Sequence, residues 1–201
     1  MGVVLTDKGV KPDPKKQECI QSMPAPTNKD EVRRLLGVVT YLSRFSDDLS
    51  TKSEPIRALL KNNTAFIWEE NEQKAFDEIK TLILNAPLLR YFNVAEQVEV
   101  QVDASSSGLG AYLMQGGQPI QYASRALTDT EKRYSQIEKE MLSIVFGLSR
   151  FHTQVTVYND HKPLAAVLKK PVEDNPVRLQ RMLCRIMGYD VEFKYVKGRE
   201  N

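Results

Sequence analysis

Two aspartates stand where predicted β-strands stop, and aspartates in such places can hold metal ions. Asp103 follows an alternating run at 98–102, and Asp160 follows the run VTVYN. In open α/β sheets functional side chains gather beyond strand ends, so these carboxylates converge if their strands are neighbours. Converging carboxylates repel each other and are normally held together by a hard cation such as Mg²⁺ or Mn²⁺. Two such ions about 4 Å apart promote phosphodiester hydrolysis, so a nuclease site is the functional hypothesis.

A plainer interpretation of the same residues stays open. Spacing alone favours Asp103 and Asp160 as aspartates that open loops and make turn hydrogen bonds. A third carboxylate could come from a following long helix, where Glu138 and Glu140 flank the apolar stripe on opposite sides. Helical spacing does not decide which of the two points at the strand ends, and either could be a solvated surface charge.

The segments that must position these carboxylates have the pattern of a mixed α/β sheet domain. Val98, Val100 and Val102 alternate with polar residues, which is the period of a half-buried strand. Two further apolar runs are divided by glycines, which predicts three antiparallel strands in a meander. The elements expected next are a long helix from Thr128 or Thr130, a strand at 155–158, a short helix after residue 163, a helix at 177–187 and a strand at 191–196.

The chain before this sheet is expected to be mainly helical. A short hairpin runs into a loop with Pro12 and Pro14, and an amphipathic helix follows with Thr27 or Asn28 as its cap. Two more helices are predicted, one from about Glu54 to residues 62–63 and one at 71–84. The period of the apolar residues changes between 92 and 97. The predicted domains are therefore 1–95, helical, and 96–201, a mixed sheet, which makes the fold class α/β of the α+β kind.

Composition excludes few functions. The net charge is +2 and the isoelectric point about 8.4, which neither demands nor excludes a nucleic-acid partner. Cys19 and Cys184 lie outside any Cys/His cluster, which argues against a zinc site or a disulfide framework, so both are expected to be buried thiols. No apolar run approaches the roughly 18 residues of a membrane span, and no membrane partner is expected. The expected location is intracellular: the cytoplasm, a virus-like particle or the nucleus.

Several long motifs point together to one known family. VDASSSGLGAYL, PIQYASRALTDTEKRYSQIEKEMLSIVFGLSRF, NDHKPL and YVKGREN occur in the order and nearly at the spacing of the RNase H domain of gypsy-type LTR retrotransposon Pol polyproteins, which they resemble. Upstream, VLTDKGVKPDPKK, LLGVVTYLSRF and FIWEENEQKAFDEIKTLILNAPLL are similar to the segment between the polymerase palm and RNase H. The resemblance implies the end of the palm and a helical thumb or connection over 1–95, and an RNase H-like domain over 96–201.

The resemblance also assigns roles residue by residue. Asp103, Glu140 and Asp160 match the family's catalytic carboxylates, and the resemblance, not the spacing, selects Glu140 over Glu138. Their implied role is to ligate Mg²⁺ or Mn²⁺ ions that cut the RNA strand of an RNA:DNA hybrid, which is recognised largely by shape, 2′-hydroxyls and phosphates. Candidate contacts with the nucleic acid lie in the same motifs: Ser105, Ser124, Arg125, Tyr134, Ser135 and His161. Of these, Ser124 and Tyr134 could equally satisfy hydrogen bonds at the end of an element.

Three departures from the family bear on activity. The family carries a fourth metal-binding aspartate beyond the Gly-x-Glu-Asn string, whereas this sequence ends at Asn201, so weaker binding of the second ion is expected. The segment between Phe151 and Val155 is shorter than in the family, and a tight turn there could misplace Asp160. The polymerase's paired-aspartate motif does not occur in the sequence, so polymerisation by an RNA-directed DNA polymerase is not expected of this stretch alone.

Two functions from different classes therefore stay open. One is an RNase H-type endonuclease with the rest of Pol, including the palm, fingers and integrase, as its partner. The other is a catalytically inactive, transposon-derived module that binds nucleic acid, which hybrid affinity surviving the loss of cleavage would favour. A phosphate-facing surface could exist in either case, although a solvated helix face is the plainer interpretation of its residues. Those residues are Lys169, Lys170, Arg178, Arg181 and Arg185.

Overall fold

The N-terminal part of the protein is a β-hairpin followed by helices. The computed structural model describes residues 2–61, 65–151, 155–159 and 162–195. The elements of the N-terminal part are β1 (Val3–Thr6), β2 (Gly9–Pro12), α1 (Pro14–Gln21), α2 (Lys29–Leu42), α3 (Leu49–Lys52), α4 (Glu54–Ala58) and α5 (Glu70–Leu84).

The helices α2 and α5 begin close to where the sequence predicts and bury one face each. Asn28 caps α2, because its side chain accepts hydrogen bonds from the N–H groups of Asp30 and Glu31, both at 3.0 Å. Glu69 and Glu72 form a capping box at the start of α5. The two apolar faces meet in one core, whose most deeply buried side chains include Val32, Leu35, Phe45, Ile56, Phe76, Ile79 and Ile83.

Two helices of this part were not predicted. The segment after the hairpin was expected to be a loop, but it forms α1. Asp13 caps this helix by accepting a hydrogen bond from the N–H of Lys15 at 3.0 Å, and Pro14 suits its first turn. The four-residue helix α3 precedes α4, which begins at Glu54 as expected. The predicted end of that helix, at residues 62–63, lies outside the described residues.

The C-terminal part is a five-stranded mixed sheet flanked by helices. Its elements are β3 (Glu99–Ala104), β4 (Gly108–Gln115), β5 (Gln118–Ala126), α6 (Gln136–Phe151), β6 (Val155–Asn159), α7 (Lys162–Lys169), α8 (Val177–Ile186) and β7 (Val191–Tyr195). The strand order is β5-β4-β3-β6-β7. The strands β5, β4 and β3 form the predicted antiparallel meander, whereas β3, β6 and β7 are parallel. The predicted fold class, a helical segment followed by a mixed sheet, is confirmed.

One face of this sheet is covered by α6. Met141, Ile144 and Leu148 point from the helix into the core and are fully buried. Gly147 lets the helix approach the strands closely, since a Cβ at that position would lie 2.9 Å from Cγ1 of Val102. The sheet domain therefore has a tightly packed apolar layer on this side.

The predicted start of α6 at Thr128 or Thr130 is wrong. Thr128 and Glu131 do form a capping box: the N–H of Thr128 donates to Glu131 at 2.9 Å, and the N–H of Glu131 donates to Oγ1 of Thr128 at 3.2 Å. This box, however, opens only the 3₁₀ turn Glu131–Arg133. The helix itself begins at Gln136.

The expectation that both cysteines are buried is also wrong. Cys19 and Cys184 are free and exposed. Each lies on a helix, α1 or α8, on the side that faces solvent. Among the helices of the described residues, none has both the length and the apolar character that crossing a bilayer would require.

The two parts have separate hydrophobic clusters and touch along the other face of the sheet. Buried residues within 20–89 form one cluster, and buried residues within 98–186 form the other. On this face, which α6 does not cover, Oγ of Ser50 in α3 donates a hydrogen bond at 3.0 Å to the backbone oxygen of Ser124 in β5. The domain division at 95/96 lies between the two clusters and stays a prediction.

Candidate functional site

Asp103 lies near the end of β3, on the face of the sheet that α6 does not cover. Val102 and Ala104, on either side of it, are buried, and the alternation of a strand turns Asp103 to the opposite face. Its side chain is exposed, and across the ladder it pairs with Gly110 of β4. The carboxylate is therefore open to a ligand that approaches this end of the sheet.

Ser105 and Ser124, two predicted nucleic-acid contacts, have partners within the protein. Oγ of Ser105 accepts a hydrogen bond from the N–H of Gly108 at 2.9 Å. Ser105, rather than Asp103, thus makes the hydrogen bonds that close the turn after β3. Oγ of Ser124 accepts a long hydrogen bond, 3.4 Å, from the N–H of Ser50. Both serines have structural partners, and their contact with nucleic acid stays a prediction.

Glu138 caps the start of α6 and forms an ion pair with α8. Its carboxylate accepts hydrogen bonds from the N–H and the hydroxyl of Ser135 at 2.8 and 2.9 Å, which caps the helix. Nη1 of Arg178 in α8 donates to it at 2.6 Å, and the Arg178 guanidinium lies 4.2 Å from the centroid of the Tyr134 ring. Burial raises the pKa of Glu138, but these hydrogen bonds outweigh it, so the pKa is lowered. Tyr134 and Ser135 remain only predicted contacts of nucleic acid.

Glu140 is held against the end of β3. It is only 4% exposed. Nε2 of Gln136, one turn earlier on α6, donates a hydrogen bond to Oε1 of Glu140 at 2.5 Å and another to the backbone oxygen of Ala104 at 3.1 Å. Because Ala104 follows Asp103 directly, Gln136 ties this glutamate to the strand that bears the aspartate. Gln136 was not predicted from the sequence, although its spacing of four residues from Glu140 was a usable signal.

The strand β6 is the neighbour of β3 and runs parallel to it, with Gln101 paired to Tyr158. The nuclease hypothesis required the strands before Asp103 and Asp160 to be neighbours, and they are. The carboxyl ends of parallel strands meet at one edge of a sheet, which is where binding sites of α/β sheets form. Asp160 and His161 themselves lie outside the described residues.

The donor set at this edge suits a hard cation. Asp103 from β3 and Glu140 from α6 offer carboxylate oxygens, the ligands that Mg²⁺ and Mn²⁺ prefer. Within 2–61, 65–151, 155–159 and 162–195, no group of three or more His, Cys, Asp or Glu side chains gathers to hold a metal ion. The carboxylate oxygens of Asp103 and Glu140 are of the type that binds the predicted Mg²⁺ or Mn²⁺, and this cofactor stays a proposal.

Asp47 lies on the same face of the sheet as Asp103 and was not predicted from the sequence. Burial raises its pKa, and the nearby charge of Asp103 adds to this effect. Its Cβ lies 3.5 Å from the place that a Cβ on Gly110 would occupy. Asp47 and Tyr122 line a cavity of about 200 Å³ between the helical part and the sheet. Asp47 reaches this face from a loop between α2 and α3, so no local spacing could have associated it with Asp103.

Arg125, another predicted nucleic-acid contact, is engaged by a carboxylate. Its Nη1 and Nη2 donate to the two oxygens of Glu131 at 2.7 and 2.8 Å, which is a bidentate ion pair. The hydrogen bond from Arg125 lowers the pKa of Glu131 to about 2. Arg125 therefore fastens the end of β5 to the 3₁₀ turn, and its contact with nucleic acid stays a prediction.

Known proteins resemble this chain in sequence throughout. Residues 68–160 match the model of the RNase H-like domain found in reverse transcriptase. The retrovirus-related Pol polyproteins from transposons 297 and 412 of Drosophila melanogaster are 35% and 34% identical to it over the whole chain, which covers 19% and 17% of their lengths. The Pol polyprotein from transposon gypsy of the same organism is 27% identical, again over the whole chain and 21% of its own length. The chain thus spans about a fifth of these curated relatives.

Solved structures resemble the fold. Foamy viral protease-reverse transcriptase in complex with an RNA/DNA hybrid matches all of this chain and 29% of its own, with a TM-score of 0.83 at 20% identity. The same protein in complex with dsDNA matches with a TM-score of 0.82 at 19% identity, over 45% of its own chain. At this identity the likeness concerns the fold alone. The sequence matches confirm the predicted resemblance: the chain is similar to the RNase H-containing region of gypsy-type LTR retrotransposon Pol polyproteins.

Proposed function

We propose that this chain carries a metal-dependent endonuclease that hydrolyses the RNA strand of RNA:DNA hybrids during reverse transcription. The observation that carries the proposal is the pair of hydrogen bonds from Gln136, which fix Glu140 beside the strand of Asp103. Glu140 is thereby held at the end of β3, the strand that bears Asp103 and that pairs with its parallel neighbour β6.

Each residue of the site has a distinct part in this proposal. Asp103 and Glu140, with Asp160, would hold the ions through carboxylate oxygens. When bound, Mg²⁺ or Mn²⁺ would supply activation of the attacking water and stabilisation of the leaving oxygen. Gln136 would keep the Glu140 carboxylate turned toward β3, and such supporting contacts are known to tune metal sites. The side chain of Asp103 is exposed, which leaves it accessible to a phosphodiester.

The proposed partners follow from the substrate and from the relatives. A solved structural neighbour was determined with an RNA/DNA hybrid, which supports this substrate class without assigning it. Because the relatives are Pol polyproteins much longer than this chain, the palm, fingers and integrase are proposed as further partners. Grip on the substrate would then be shared with those parts, since a hybrid is recognised by shape and phosphates over many base pairs.

The experiment is cleavage of an end-labelled RNA:DNA hybrid in Mg²⁺ and then in Mn²⁺. We expect cleavage by the natural chain, a loss of at least about 100-fold for Asp103→Asn and for Glu140→Gln, and no loss for Asp7→Asn. Asp7 is an exposed aspartate in the turn between β1 and β2 and serves as the matched control. A folded chain that binds hybrid without cutting it in either ion would contradict the proposal and favour the inactive nucleic-acid-binding module.

A further inference from the structure

The exposed side of α8 carries a row of arginines. Arg178, Arg181 and Arg185 are spaced by three and four residues, which places them on one side of the helix, and all three are exposed. We call these three residues the arginine row. The opposite side of α8 is buried in the sheet core through Leu179, Met182, Leu183 and Ile186. The sequence of α8 contains no acidic residue.

The row begins beside the candidate site. Arg178 donates to Glu138 at 2.6 Å and lies over the Tyr134 ring, so the first arginine is fixed next to the start of α6. Glu140, two residues after Glu138, lies on the other side of that helix, where Gln136 joins it to the end of β3. The N-terminal ends of α6 and α8 are therefore joined, and this end of α6 also contacts the end of β3, the strand that bears Asp103.

Among the described residues, Arg181 and Arg185 have no carboxylate partner. By contrast, Arg125 and Arg178 each make an ion pair with a carboxylate. Arg185 in the last turn is favourable for the helix dipole, but Arg178 and Arg181 are not explained in that way. Uncompensated cations in a row are the electrostatic footprint expected of a surface that binds phosphates.

We propose that the arginine row binds the phosphate backbone of the nucleic acid as it leaves the candidate site along α8. With a rise of about 1.5 Å per residue, the row spans roughly 10 Å, which corresponds to about three phosphates of one strand. The inference rests on the proposed function, because it names the path of that same substrate. A merely solvated helix face is the competing interpretation, and the experiments below separate the two.

Protection of the two exposed cysteines from alkylation can test this path without any substitution, with Cys184 on α8 as the probe and Cys19 on α1 as the control. Cys184 follows Arg181 by three residues on α8, and Cys19 follows Lys16 by three residues on α1 in the helical part. The full chain is alkylated with a maleimide in EDTA, with and without a saturating RNA:DNA hybrid of about 20 base pairs. The hybrid is expected to slow alkylation of Cys184 by about threefold or more and to leave Cys19 unchanged. Equal rates at Cys184 with and without bound hybrid would overturn the proposal.

Charge reversal tests the same surface by affinity. Arg181→Glu with Arg185→Glu is expected to weaken hybrid binding by about 10-fold at 0.1 M salt and to reduce the slope of log affinity against log salt by about 2. Lys15→Glu with Lys16→Glu makes the same change of net charge on exposed residues of α1 and should do neither. An equal effect from both pairs would mean that only net charge matters, and the proposal would be wrong.

The outcomes also separate this proposal from the proposed function. If the hybrid is bound and cut normally while the arginine substitutions and the Cys184 footprint show nothing, the path along α8 is wrong and the nuclease stands. If binding depends on the arginine row but no cleavage occurs, the path stands and the nuclease is wrong. If no hybrid binds to the natural chain, both are wrong. Duplex DNA as a second probe would show whether the row selects between hybrid and DNA.

Discussion

The two faces of the sheet at β3 and β4 are covered in different ways. On one face, α6 packs apolar side chains against the strands, and Gly147 brings the helix close to Val102. On the other face, residues 47–51 of the helical part meet the strands through small and polar groups. There Oγ1 of Thr51 would lie 2.2 Å from a Cβ on Gly108, and Ser50 bonds to Ser124.

This difference suggests that one face mainly stabilises the sheet domain, while the other mainly fixes the positions of polar groups. Burial of apolar area on the α6 face stabilises the sheet domain strongly, because this contribution scales with area and depends little on direction. Hydrogen bonds and steric fits on the other face contribute less energy, but they depend strongly on position. Asp103 lies on that second face, so its surroundings are set by the docking of the helical part rather than by the core.

The largest effect is expected from Ile144→Ala on the α6 face. Ile144 is fully buried, and its truncation should lower the free energy of unfolding by about 2–5 kcal/mol. Urea denaturation measures this, with Arg150→Ala on the exposed side of α6 as the control, expected to stay within about 0.5 kcal/mol. A loss below 1 kcal/mol for Ile144→Ala would remove the distinction between the two faces.

A steric fit should dominate on the opposite face. Gly108→Ala places a methyl group against Oγ1 of Thr51 and should cost about 1–3 kcal/mol of unfolding free energy. Thr51→Ala removes that oxygen and leaves the nearest neighbours at 3.3 Å, the oxygen of Arg125, and 3.4 Å, Cβ of residue 51. The double variant should therefore recover most of the loss, which a double-mutant cycle measures. Additive losses would argue that the helical part does not dock as described.

A pH-dependent contribution is expected from the ion pair at the end of β5. The folded-state pKa of Glu131, about 2, lies below its ordinary value of 4.5, so its stabilisation is present above pH 4.5 and is lost as the pH falls toward 2. Glu131→Gln should cost about 1–2 kcal/mol at pH 7, less than an unscreened pair would. Denaturation at pH 7, 5 and 3 should show the difference from the natural chain shrinking as the pH falls. A constant difference would contradict the assignment.

The smallest effect on stability is expected at Gln136. Gln136→Ala should lower the unfolding free energy by no more than about 1 kcal/mol, since water can replace the lost amide as a hydrogen-bond donor to both acceptors. Hybrid cleavage or Mn²⁺ affinity should nevertheless fall by about 10- to 100-fold, as is typical of residues that orient a metal ligand. Titration calorimetry with Mn²⁺ reads out the metal independently of cleavage. Equal small losses in all three quantities would make Gln136 a structural residue only.

Much of the fold could be predicted from the sequence. Periods of two and of 3.6 residues locate β3 and the apolar stripes of α2, α5 and α8, because those periods record which side is buried. Residues 14–21 show no such apolar period, since Ile20 is the single buried residue of α1. The box of Thr128 and Glu131 misled because a capping box can open a 3₁₀ turn as well as a helix.

The candidate site was predictable only in part. Both Glu138 and Glu140 flank the apolar stripe of α6, but they have different partners. Arg178 of α8 binds Glu138, whereas Gln136 of the same helix binds Glu140. Resemblance to a family selected Glu140, and the described geometry places it beside β3. The engagement of Arg125 by Glu131 was not anticipated, although a cap-like Glu131 near an arginine was visible in the sequence.

The parallel ladder between β3 and β6 also sets an order of assembly. It pairs Glu99 with Thr156 across the whole of β4, β5 and α6, so its contact order is high, whereas the meander and the contact of Gln136 with Ala104 join nearer segments. Closing a longer loop costs more entropy, and we expect the start of α6 to reach the end of β3 before β6 docks. Pulse-labelled hydrogen exchange should then protect β4 and β5 earlier than β6 and β7. A chain still emerging from the ribosome would accordingly hold an unfinished site, and the proposed nuclease activity would await the last strands.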